Sequence, residues 1–441
     1  KEGYPAIMAN GQPATVDEML LGPVTNVADF IWGGTWDGVQ IIPIPPLAVV
    51  LLGAGLWFMA GLKFYPITKL GTSIKGLFAG RKGAGAGEIS PFAALSTALS
   101  GQVGTGNLAG VATAIALGGP GAIFWMWMVA LVGMATAYAE STLAQLYKIK
   151  NAEGQYRGGP AFYISRGLGL PWLGGLFSIS LILAFGLIFN AVQANSIADA
   201  VEVAFGFEKI WIGVGLAVLS AVVIFGGIRS IASVAEIVVP FMAIAYLGVA
   251  FYVLAVHVTE VPAMLWLIVK SAFGYQEATW GVAGGITAAL LNGVKRGLFS
   301  NEAGMGSAPN IAAVATPDPH HPASQGLVQG LGVFIDTIVI CTATALMILL
   351  SGVYTPGQEV TGTELTQTAL TAHIGDWGQI FVAVAIFFFA FTSIIGNYSY
   401  AENAMTFLGA GNRVGLSILR LGVLAMVIWG SLVKVTTVFN T

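Results

Sequence analysis

Charge is scarce in this chain. Charged residues make up 9% of its 441 positions, whereas a soluble domain carries about 25%. The formal net charge of -3 also provides no basic face for nucleic acid. The composition therefore excludes a water-soluble globule and disfavours a nucleic-acid-binding protein.

Cysteine and histidine are too few for the chemistry that they usually carry. Cys341 is the single cysteine, so no disulfide forms within the chain, and the apolar run around it predicts a small core residue. None of the four histidines has metal-ligand spacing with cysteines or carboxylates. Nucleophile-elbow and metalloprotease motifs are also missing, so we expect neither catalysis nor a resident cofactor.

Apolar sequence, by contrast, is abundant. Hydrophobic residues make up 56% of the chain. Runs of about 20 such residues, long enough to cross a hydrocarbon core of roughly 30 Å, recur along nearly the whole length. The pattern predicts an all-α polytopic membrane protein. Ten spans are expected, at residues 43–65, 91–117, 122–147, 176–204, 210–225, 231–257, 282–315, 325–351, 379–405 and 414–433.

The segments outside the spans differ in composition. Residues 1–42 mix apolar and polar side chains, with Trp32 and Trp36 as expected headgroup anchors, and indicate an interfacial segment. They lack the basic start and apolar core of a cleavable signal peptide, so none is expected. Residues 66–90 are expected to form a basic loop, and residues 258–281 a connector.

The distribution of basic residues predicts the orientation. The connections after spans 1, 3, 5 and 9 lie on one side and hold Lys63, Lys69, Lys75, Arg81, Lys82, Lys148, Lys150, Arg157, Arg166, Arg229 and Arg413. The other side has acidic residues after span 8 and only Lys209 after span 4. By the positive-inside rule the first side is cytoplasmic, which places the N-terminus outside the cell membrane.

Span 2 carries small and polar residues where lipid contact favours large apolar ones. Residues 100–107 read Ser-Gly-Gln-Val-Gly-Thr-Gly-Asn. Such an octet is either a close packing seam between helices or a break that lines a binding cavity. The three glycines and two amide side chains favour the break, because amides at mid-depth in a membrane need a partner.

Span 7 has a comparable segment. Residues 295–309 read Lys-Arg-Gly-Leu-Phe-Ser-Asn-Glu-Ala-Gly-Met-Gly-Ser-Ala-Pro. One interpretation is that the chain simply emerges into the cytoplasm there. Because the apolar residues 311–315 follow at once, we favour a half-helix, a polar turn and a second half-helix that borders a cavity.

The two atypical spans predict internal symmetry. Five spans separate their starts, so spans 2 and 7 cross the membrane in opposite directions and are expected to be inverted copies. The first repeat is then residues 91–257 and the second residues 282–441, with its last helix missing. Interrupted segments at matching positions of two inverted halves indicate a transporter binding site.

Two further spans contain polar candidates. Thr392 and Ser393 in span 9 can supply two neutral oxygens to a hard cation, although back-bonding to a carbonyl one turn earlier is the alternative. In span 4, Asn190, Gln193 and Asn195 fit either interhelical hydrogen bonds or substrate contact, and Gln193 is the preferred ligand. Five acids are assigned at or near span ends, where any one can carry a proton: Glu140, Asp199, Glu236, Asp336 and Glu402.

Residues 118–133, Gly-Gly-Pro-Gly-Ala-Ile-Phe-Trp-Met-Trp-Met-Val-Ala-Leu-Val-Gly, resemble the signature of the alanine/glycine:cation symporter family. Residues 104–112 and 300–309 resemble the same family, so the similarity covers most of the chain. The resemblance implies uptake of alanine or glycine coupled to sodium or protons. It also implies a LeuT-type fold of two inverted five-helix repeats, preceded here by one extra N-terminal transmembrane helix at residues 43–65.

The resemblance assigns roles to residues of the broken spans. The Thr105 and Gly106 amides are expected to receive the substrate carboxylate, and the Gln102 carbonyl its ammonium. The Gln102 side chain either closes the pocket around a small substrate or binds it. The expected substrate site comprises Gln102, Thr105, Gly106, Gln193, Ser300, Asn301, Gly304 and Met305. The expected sodium site comprises the carbonyls of Ser100, Val103 and Phe389 with the hydroxyls of Thr392 and Ser393.

The sequence thus predicts a secondary active symporter for small neutral amino acids, with Na⁺ as coupling ion. A channel is the alternative, but it needs a continuous polar path with rings of charge or carbonyls, which two inverted broken spans do not suggest. An intramembrane enzyme needs a nucleophile and base, or a metal site, within reach of each other, and no such constellation is visible.

Overall fold

The computed structural model of the protein describes residues 26–27, 29–36, 39–42, 46–79, 89–151, 154–274, 285–355 and 362–433. The contacts divide the chain into two units, residues 1–54 and 55–439. The first unit holds an antiparallel pair of two-residue strands, β1 (Thr35–Trp36) and β2 (Val39–Gln40). Trp36 is exposed there, as an interfacial anchor requires, and packs edge-on against Phe30.

The rest of the described chain is helical apart from one more short hairpin, β3 (Ile149–Lys150) with β4 (Tyr156–Arg157). In chain order the α-helices are α1 (Pro46–Gly61), α2 (Tyr65–Thr68), α3 (Leu70–Ala79), α4 (Pro91–Gln102), α5 (Val111–Gly118), α6 (Gly121–Leu146), α7 (Pro160–Gly167), α8 (Pro171–Leu181), α9 (Phe189–Phe205), α10 (Lys209–Ile224), α11 (Gly227–Val256), α12 (Val261–Ala272), α13 (Gly285–Asn301), α14 (Ala308–Ala312), α15 (Pro322–Val333), α16 (Thr342–Leu350), α17 (Gly362–Ile374), α18 (Trp377–Phe407) and α19 (Arg413–Leu432).

Three π-helical stretches connect some of these helices. Ile182–Ile188 joins α8 to α9, and Phe334–Cys341 joins α15 to α16, so that each pair forms one long helix. A shorter stretch, Gly106–Gly110, leads into α5. Within the described ranges, six helices are long and apolar enough to cross a membrane, and four shorter apolar helices accompany them. The polytopic all-α class is therefore confirmed.

The described residues of the ten predicted spans are mainly helical, but helices also lie in segments between spans. The basic loop predicted at 66–90 contains α3, whose Ser73 and Leu77 are buried while most of its other side chains are exposed. The basic residues Lys69 and Lys75 thus belong to an amphipathic helix, a pattern that their charge alone does not reveal. The connector predicted at 258–281 contains α12, and α17 lies between spans 8 and 9.

Span 2 is broken where its octet predicts. Ser90 caps α4 by accepting a hydrogen bond from the Ala93 amide, and Pro91 occupies the first turn, where it removes no helical bond. The helix ends at Gln102, and Val103 has φ -78° and ψ 88°, outside the helical region. Helical structure resumes at Thr105 and Gly106. The octet is therefore a break and not a continuous packing seam.

Span 7 is also broken. Helix α13 ends at Asn301, and the turn that follows has positive φ at Glu302 (55°), Gly304 (88°) and Gly306 (74°) before α14 begins. The two glycines adopt that backbone region at little cost, whereas Glu302 is held in it against its preference. The half-helix, polar turn and second half-helix predicted here are confirmed.

The two broken spans pack against each other in opposite directions. Helix α13 lies along Gly106–Gly110 and α5, while α14 lies against α4. At their far ends the Ile89 amide donates to the Val314 carbonyl, and the Thr316 amide donates to Ile89. The start of one broken span thus meets the end of the other. On one flank α6 and α15 pack together and α6 contacts both parts of span 7; on the other, α9 and α18 pack together and α18 contacts α4.

Candidate functional site

The first break is joined to span 4 through Thr105. Both the amide and the hydroxyl of Thr105 donate to Gln193 Oε1, at 3.0 and 2.5 Å. The other two amides of span 4 contact different helices, because Asn190 accepts from Asn397 on α18 and Asn195 donates to the Gly430 carbonyl on α19. Of the three, Gln193 is the one that the structure brings to the predicted substrate residues.

Glycines at the break allow neighbouring helices to approach its backbone. A Cβ added to Gly104 would lie 2.4 Å from Ser393 Oγ and 3.0 Å from Gln193 Oε1. One added to Gly106 would lie 3.0 Å from the Ser300 Cα. At Gly104 the 2.4 Å distance is too short for any side chain, and at Gly106 the 3.0 Å distance is tighter than ordinary packing. The two glycines therefore bring this backbone against α18 and α13.

Four buried residues where the two broken spans meet form what we name the central polar cluster: Asn107, Ser300, Asp336 and Thr337. Asp336 accepts from Asn107 Nδ2 at 2.6 Å, from Ser300 Oγ at 2.8 Å and from Thr337 Oγ1 at 2.7 Å. The Asn107 Oδ1 accepts from the Gly104 amide at 2.9 Å. The cluster therefore connects the backbone of the first break to a carboxylate on the opposite long helix.

Asp336 lies in the middle of the helix 322–350 and is fully buried. Its assignment to a span end was wrong, because the apolar run that contains it extends equally far on both sides. In the part of the chain that the structure describes, no Lys, Arg or His forms an ion pair with it. A buried carboxylate with neutral donors alone is electrostatically suited to a mobile cation or a proton.

Cys341 also belongs to this region. It is buried, as predicted, but its sulfur lies 3.3 Å from Asn107 Nδ2 and 3.2 Å from Ser300 Oγ. Cys341 is therefore the small core residue that was predicted, and it also contacts the central polar cluster. The apolar sequence around Cys341 gave no sign that a polar cluster of other helices meets it.

The predicted sodium residues of α18 lie beside the first broken span, where Gly104 approaches Ser393. The hydroxyls of Thr392 and Ser393 both donate to the Phe389 carbonyl, at 2.9 and 3.0 Å. This is the back-bonded arrangement that was the alternative for these residues. It nevertheless places three oxygens together beside Gly104. Ser100 is adjacent, since a Cβ on Gly396 of α18 would lie 2.7 Å from Ser100 Oγ, and Val103 is buried in the break.

The Gln102 side chain lies beside Gly332 of α15. Its Oε1 is buried and has no hydrogen-bond partner among the described residues. This oxygen would lie 3.3 Å from a Cβ added to Gly332 on α15. The structure thus places the Gln102 side chain between α4 and α15.

The predicted residues of span 7 divide into two groups. Ser300 belongs to the central polar cluster, and Asn301 donates to Thr337 at 3.2 Å. Gly304 instead donates its amide to Glu140 of α6 at 3.4 Å, and Met305 packs on a separate apolar cluster that includes Ile311. The positive φ of Glu302 turns the chain away, so the structure does not bring Gly304 and Met305 to the other predicted site residues.

A second polar network lies toward the side that the positive-inside rule assigns to the cytoplasm. Arg157 of β4 pairs with Glu402 of α18 at 3.2 Å, and both side chains are buried. Asn403 donates to the Gly158 carbonyl at 2.6 Å and to Asn310 Oδ1 at 2.7 Å. Cavities of about 420 and 210 Å³ are both lined by Asn151, Arg157 and Thr406. The network ties the β3–β4 hairpin to α18 and α14.

Known proteins share this sequence over most of its length. The profile of the sodium:alanine symporter family matches residues 34–441. The chain belongs to the sodium:alanine symporter family. It is therefore an amino-acid:cation symporter, and its apolar helices make it a multi-pass membrane protein.

Individual relatives agree with the family match. A probable sodium/glutamine symporter of Bacillus subtilis is 47% identical over 395 residues, 89% of this chain and 81% of that protein. An amino-acid carrier protein of the same organism is 46% identical over 416 residues, 94% and 84% of the two chains. A sodium/alanine symporter of Methanococcus maripaludis is 39% identical over 425 residues, 95% and 89% of the two chains.

Proposed function

We propose that this symporter takes up alanine or a similarly small neutral amino acid by alternating access, with Na⁺ as the coupling ion. The observation that carries the proposal is the shared backbone of the first break. Gly104 contacts Ser393 of the predicted sodium site, and the next residue, Thr105, binds Gln193 of the predicted substrate site. Two ligands that use one non-helical segment have coupled affinities.

The substrate carboxylate is proposed to bind at the Thr105 and Gly106 amides. The Thr105 amide and hydroxyl already donate to a single oxygen, Gln193 Oε1, and a carboxylate oxygen can accept from the same two donors. The Gln193 amide is then free to donate to the carboxylate. The substrate ammonium is proposed to bind the Gln102 carbonyl at the end of α4, where partial negative charge from the helix dipole favours it.

Aromatic packing supports a small substrate. The Phe299 ring would lie 3.3 Å from a Cβ on Gly106, and Phe189 packs edge-on against Phe299 with ring centroids 5.3 Å apart. These rings limit the space beside the amide of Gly106. Alanine and glycine fit this limit better than glutamine, which the name of the Bacillus relative raises as the second candidate.

Sodium is proposed to bind the Phe389 carbonyl and the Thr392 and Ser393 hydroxyls, with carbonyls of Ser100 and Val103 from the break. These are neutral oxygens, the ligands that hard cations prefer. The hydroxyls donate to Phe389 in this structure, and rotation about their Cβ–O bonds would turn the hydrogens away and the lone pairs toward an ion. Asp336 supplies the negative charge that a cation near the centre of the molecule balances.

Alternating access is proposed to use two inverted repeats, residues 91–257 and 282–441, in a LeuT-type arrangement. The antiparallel packing of the broken spans supports this. Closure toward the cytoplasm is assigned to the Arg157–Glu402 pair and the Asn403 contacts, since they join α18 to the hairpin and to α14. The N-terminus is proposed to face outward from the cell membrane.

The test is alanine binding by purified protein with and without sodium. For the parent, sodium should raise alanine affinity, and alanine should raise sodium affinity by the same factor. Thr392→Ala should abolish most of that enhancement while leaving sodium-free binding unchanged. Thr368→Ala on α17, which removes an exposed hydroxyl bonded one turn earlier, is the matched control. Enhancement equal to that of the parent in Thr392→Ala contradicts the sodium site.

A further inference from the structure

Two buried glutamines on α15 are not accounted for by the site described above. Gln325 and Gln329 are both 0% exposed. Neither the oxygen nor the nitrogen of either side-chain amide has a hydrogen-bond partner among the residues that the structure describes. Buried amides are almost always satisfied by protein or by ordered water. Four unpaired amide atoms within two turns of one helix therefore require an explanation.

These glutamines form a stripe that leads to Asp336. Residues 325, 329, 332 and 336 are spaced by four, three and four positions, which places them on one face of the long helix 322–350. The stripe reads Gln, Gln, Gly, Asp and has no large apolar side chain. It extends about 16 Å along the helix axis. One end is near Pro322, on the side assigned to the cytoplasm, and the other is at the central polar cluster.

A different face of α15 makes the helix contact with α6. A Cβ added to Gly326 would lie 2.3 Å from Thr142 Oγ1, and one added to Gly330 would lie 3.2 Å from the Met134 carbonyl. Gly332, within the stripe, instead faces Leu95 and the Gln102 Oε1 of α4. The unpaired oxygen of Gln102 thus belongs to the opposite wall of the stripe. The stripe is oriented toward the first broken span.

We propose that this stripe, Gln325, Gln329, Gly332 and Asp336 with Gln102 opposite, is a hydrated lane through which the coupling cation passes between Asp336 and the cytoplasm. Amides that lack protein partners bind water molecules, and they donate to or accept from the hydration shell of a cation without trapping it. Neutral amides suit a path, because a charged group on it would hold the ion. Gly332 lets Leu95 and the side-chain oxygen of Gln102 on α4 approach the stripe closely, so water and ion must pass beside Gln102 at this point.

The lane rests on the proposed function only in requiring that Na⁺ is the coupling ion and that Asp336 balances its charge. Its side chains are not those of the proposed substrate site, where Thr105 binds Gln193 and Gln102 contributes its backbone carbonyl. It is also separate from the Arg157–Glu402 pair, which joins α18 to the hairpin. Changes to Gln325 and Gln329 should therefore alter the rate at which the cation moves without altering equilibrium binding of alanine or sodium.

The first experiment measures water access. Gln329→Cys is treated, in inside-out vesicles, with a small positively charged methanethiosulfonate reagent. We expect modification well above the background of the parent, whose own cysteine is buried. Val328→Cys, one residue away and 2% exposed, is the matched control and should stay at background. If the reagent modifies neither cysteine variant, the proposed lane is wrong.

The second experiment measures cation movement. The double variant Gln325→Met with Gln329→Met keeps side-chain length and removes the amides. We expect sodium efflux coupled to alanine from preloaded proteoliposomes to slow at least about tenfold, the factor carried by one hydrogen bond to a charged group. Leu327→Met on another face of α15 should stay within about twofold, because volume-conserving apolar changes are well tolerated.

The outcomes separate this inference from the proposed function. If sodium does not change the alanine affinity of the parental protein, the proposed function is wrong, whatever the results for the glutamine variants. Sodium-dependent binding in the parent with efflux unchanged in the double Met variant refutes the lane alone. If no water binds the stripe, removing its unpaired buried amides should raise the thermal midpoint of unfolding of the double variant while transport stays equal to that of the parent. That result would also contradict the lane.

Discussion

Asp336 and Glu402 are both buried carboxylates on long helices, yet their surroundings differ. Glu402 is paired with Arg157, so its charge is already neutralised within the protein. Asp336 accepts hydrogen bonds from Asn107, Ser300 and Thr337, which are all neutral. Under the proposed function, burial alone does not define a cation site. The partner does, because neutral donors position a carboxylate and leave its charge for an ion that comes and goes.

The strongest test of this comparison removes the charge of Asp336. Asp336→Asn should lower sodium-driven alanine uptake at least about a hundredfold, since loss of one member of a buried charge pair costs about 3–5 kcal/mol. The measurement is radiolabelled alanine uptake into proteoliposomes under an imposed sodium gradient. Asp199→Asn is the control: Asp199 pairs with Lys209 in a half-exposed position, where ion pairs contribute little. Equal losses in both variants would contradict a special role for Asp336.

The expected effect at Glu402 is smaller and of a different kind. Glu402→Gln leaves Arg157 buried without its counter-charge, so the closed cytoplasmic network should loosen and uptake should fall about tenfold. Equilibrium alanine binding should change little. Exchanging the two residues, Arg157→Glu with Glu402→Arg, should recover most of the uptake. Failure of the exchanged pair to exceed Glu402→Gln alone would show that the contact is not an interchangeable ion pair.

The smallest expected effect tests the neutrality of the donors around Asp336. Cys341→Ser replaces a weak donor by a stronger one at a position whose sulfur contacts Asn107 and Ser300. The added neutral hydrogen bond should change the sodium concentration for half-maximal uptake by less than about threefold. Cys341→Asp, which adds a like charge beside Asp336, should change it far more. Similar values for the two variants would show that charge in the cluster does not control sodium affinity.

Much of the architecture is predictable because a bilayer leaves few choices. The apolar runs must be helices, since no water is available to satisfy the backbone, and the described residues of the ten predicted spans are mainly helical. Both breaks are predictable for the same reason: Gly104 and the turn after Asn301 stand where continuous helices favour large apolar residues. The helices α3 and α12 were missed, because they are short and lie in segments judged by their charge or position.

The candidate site is only partly predictable. Thr105, Gln193, Thr392 and Ser393 could be selected by chemical type within apolar runs. In the sequence, Asp336 is recognisable only as one of several acids in apolar runs, and Asn107 only as an amide in the octet. Their importance depends on contact across 229 positions of sequence, which no local pattern reports. Gly304 and Met305 were chosen for their neighbours in sequence, and one left-handed residue, Glu302, takes them elsewhere.

The sequence by itself determined that this protein is a membrane transporter with two interrupted spans. Composition and periodicity are properties of local sequence, and polar or helix-breaking residues are costly in a bilayer wherever they occur. Only the tertiary structure decided which polar residues belong together. Asp336 meets Asn107 and Ser300, while Glu402 meets Arg157, because the packing of helices distant in sequence sets those pairs. The same packing leaves Gln325 and Gln329 buried without hydrogen-bond partners among the residues that the structure describes. Local sequence could indicate that these side chains are costly in a membrane, but not what satisfies them.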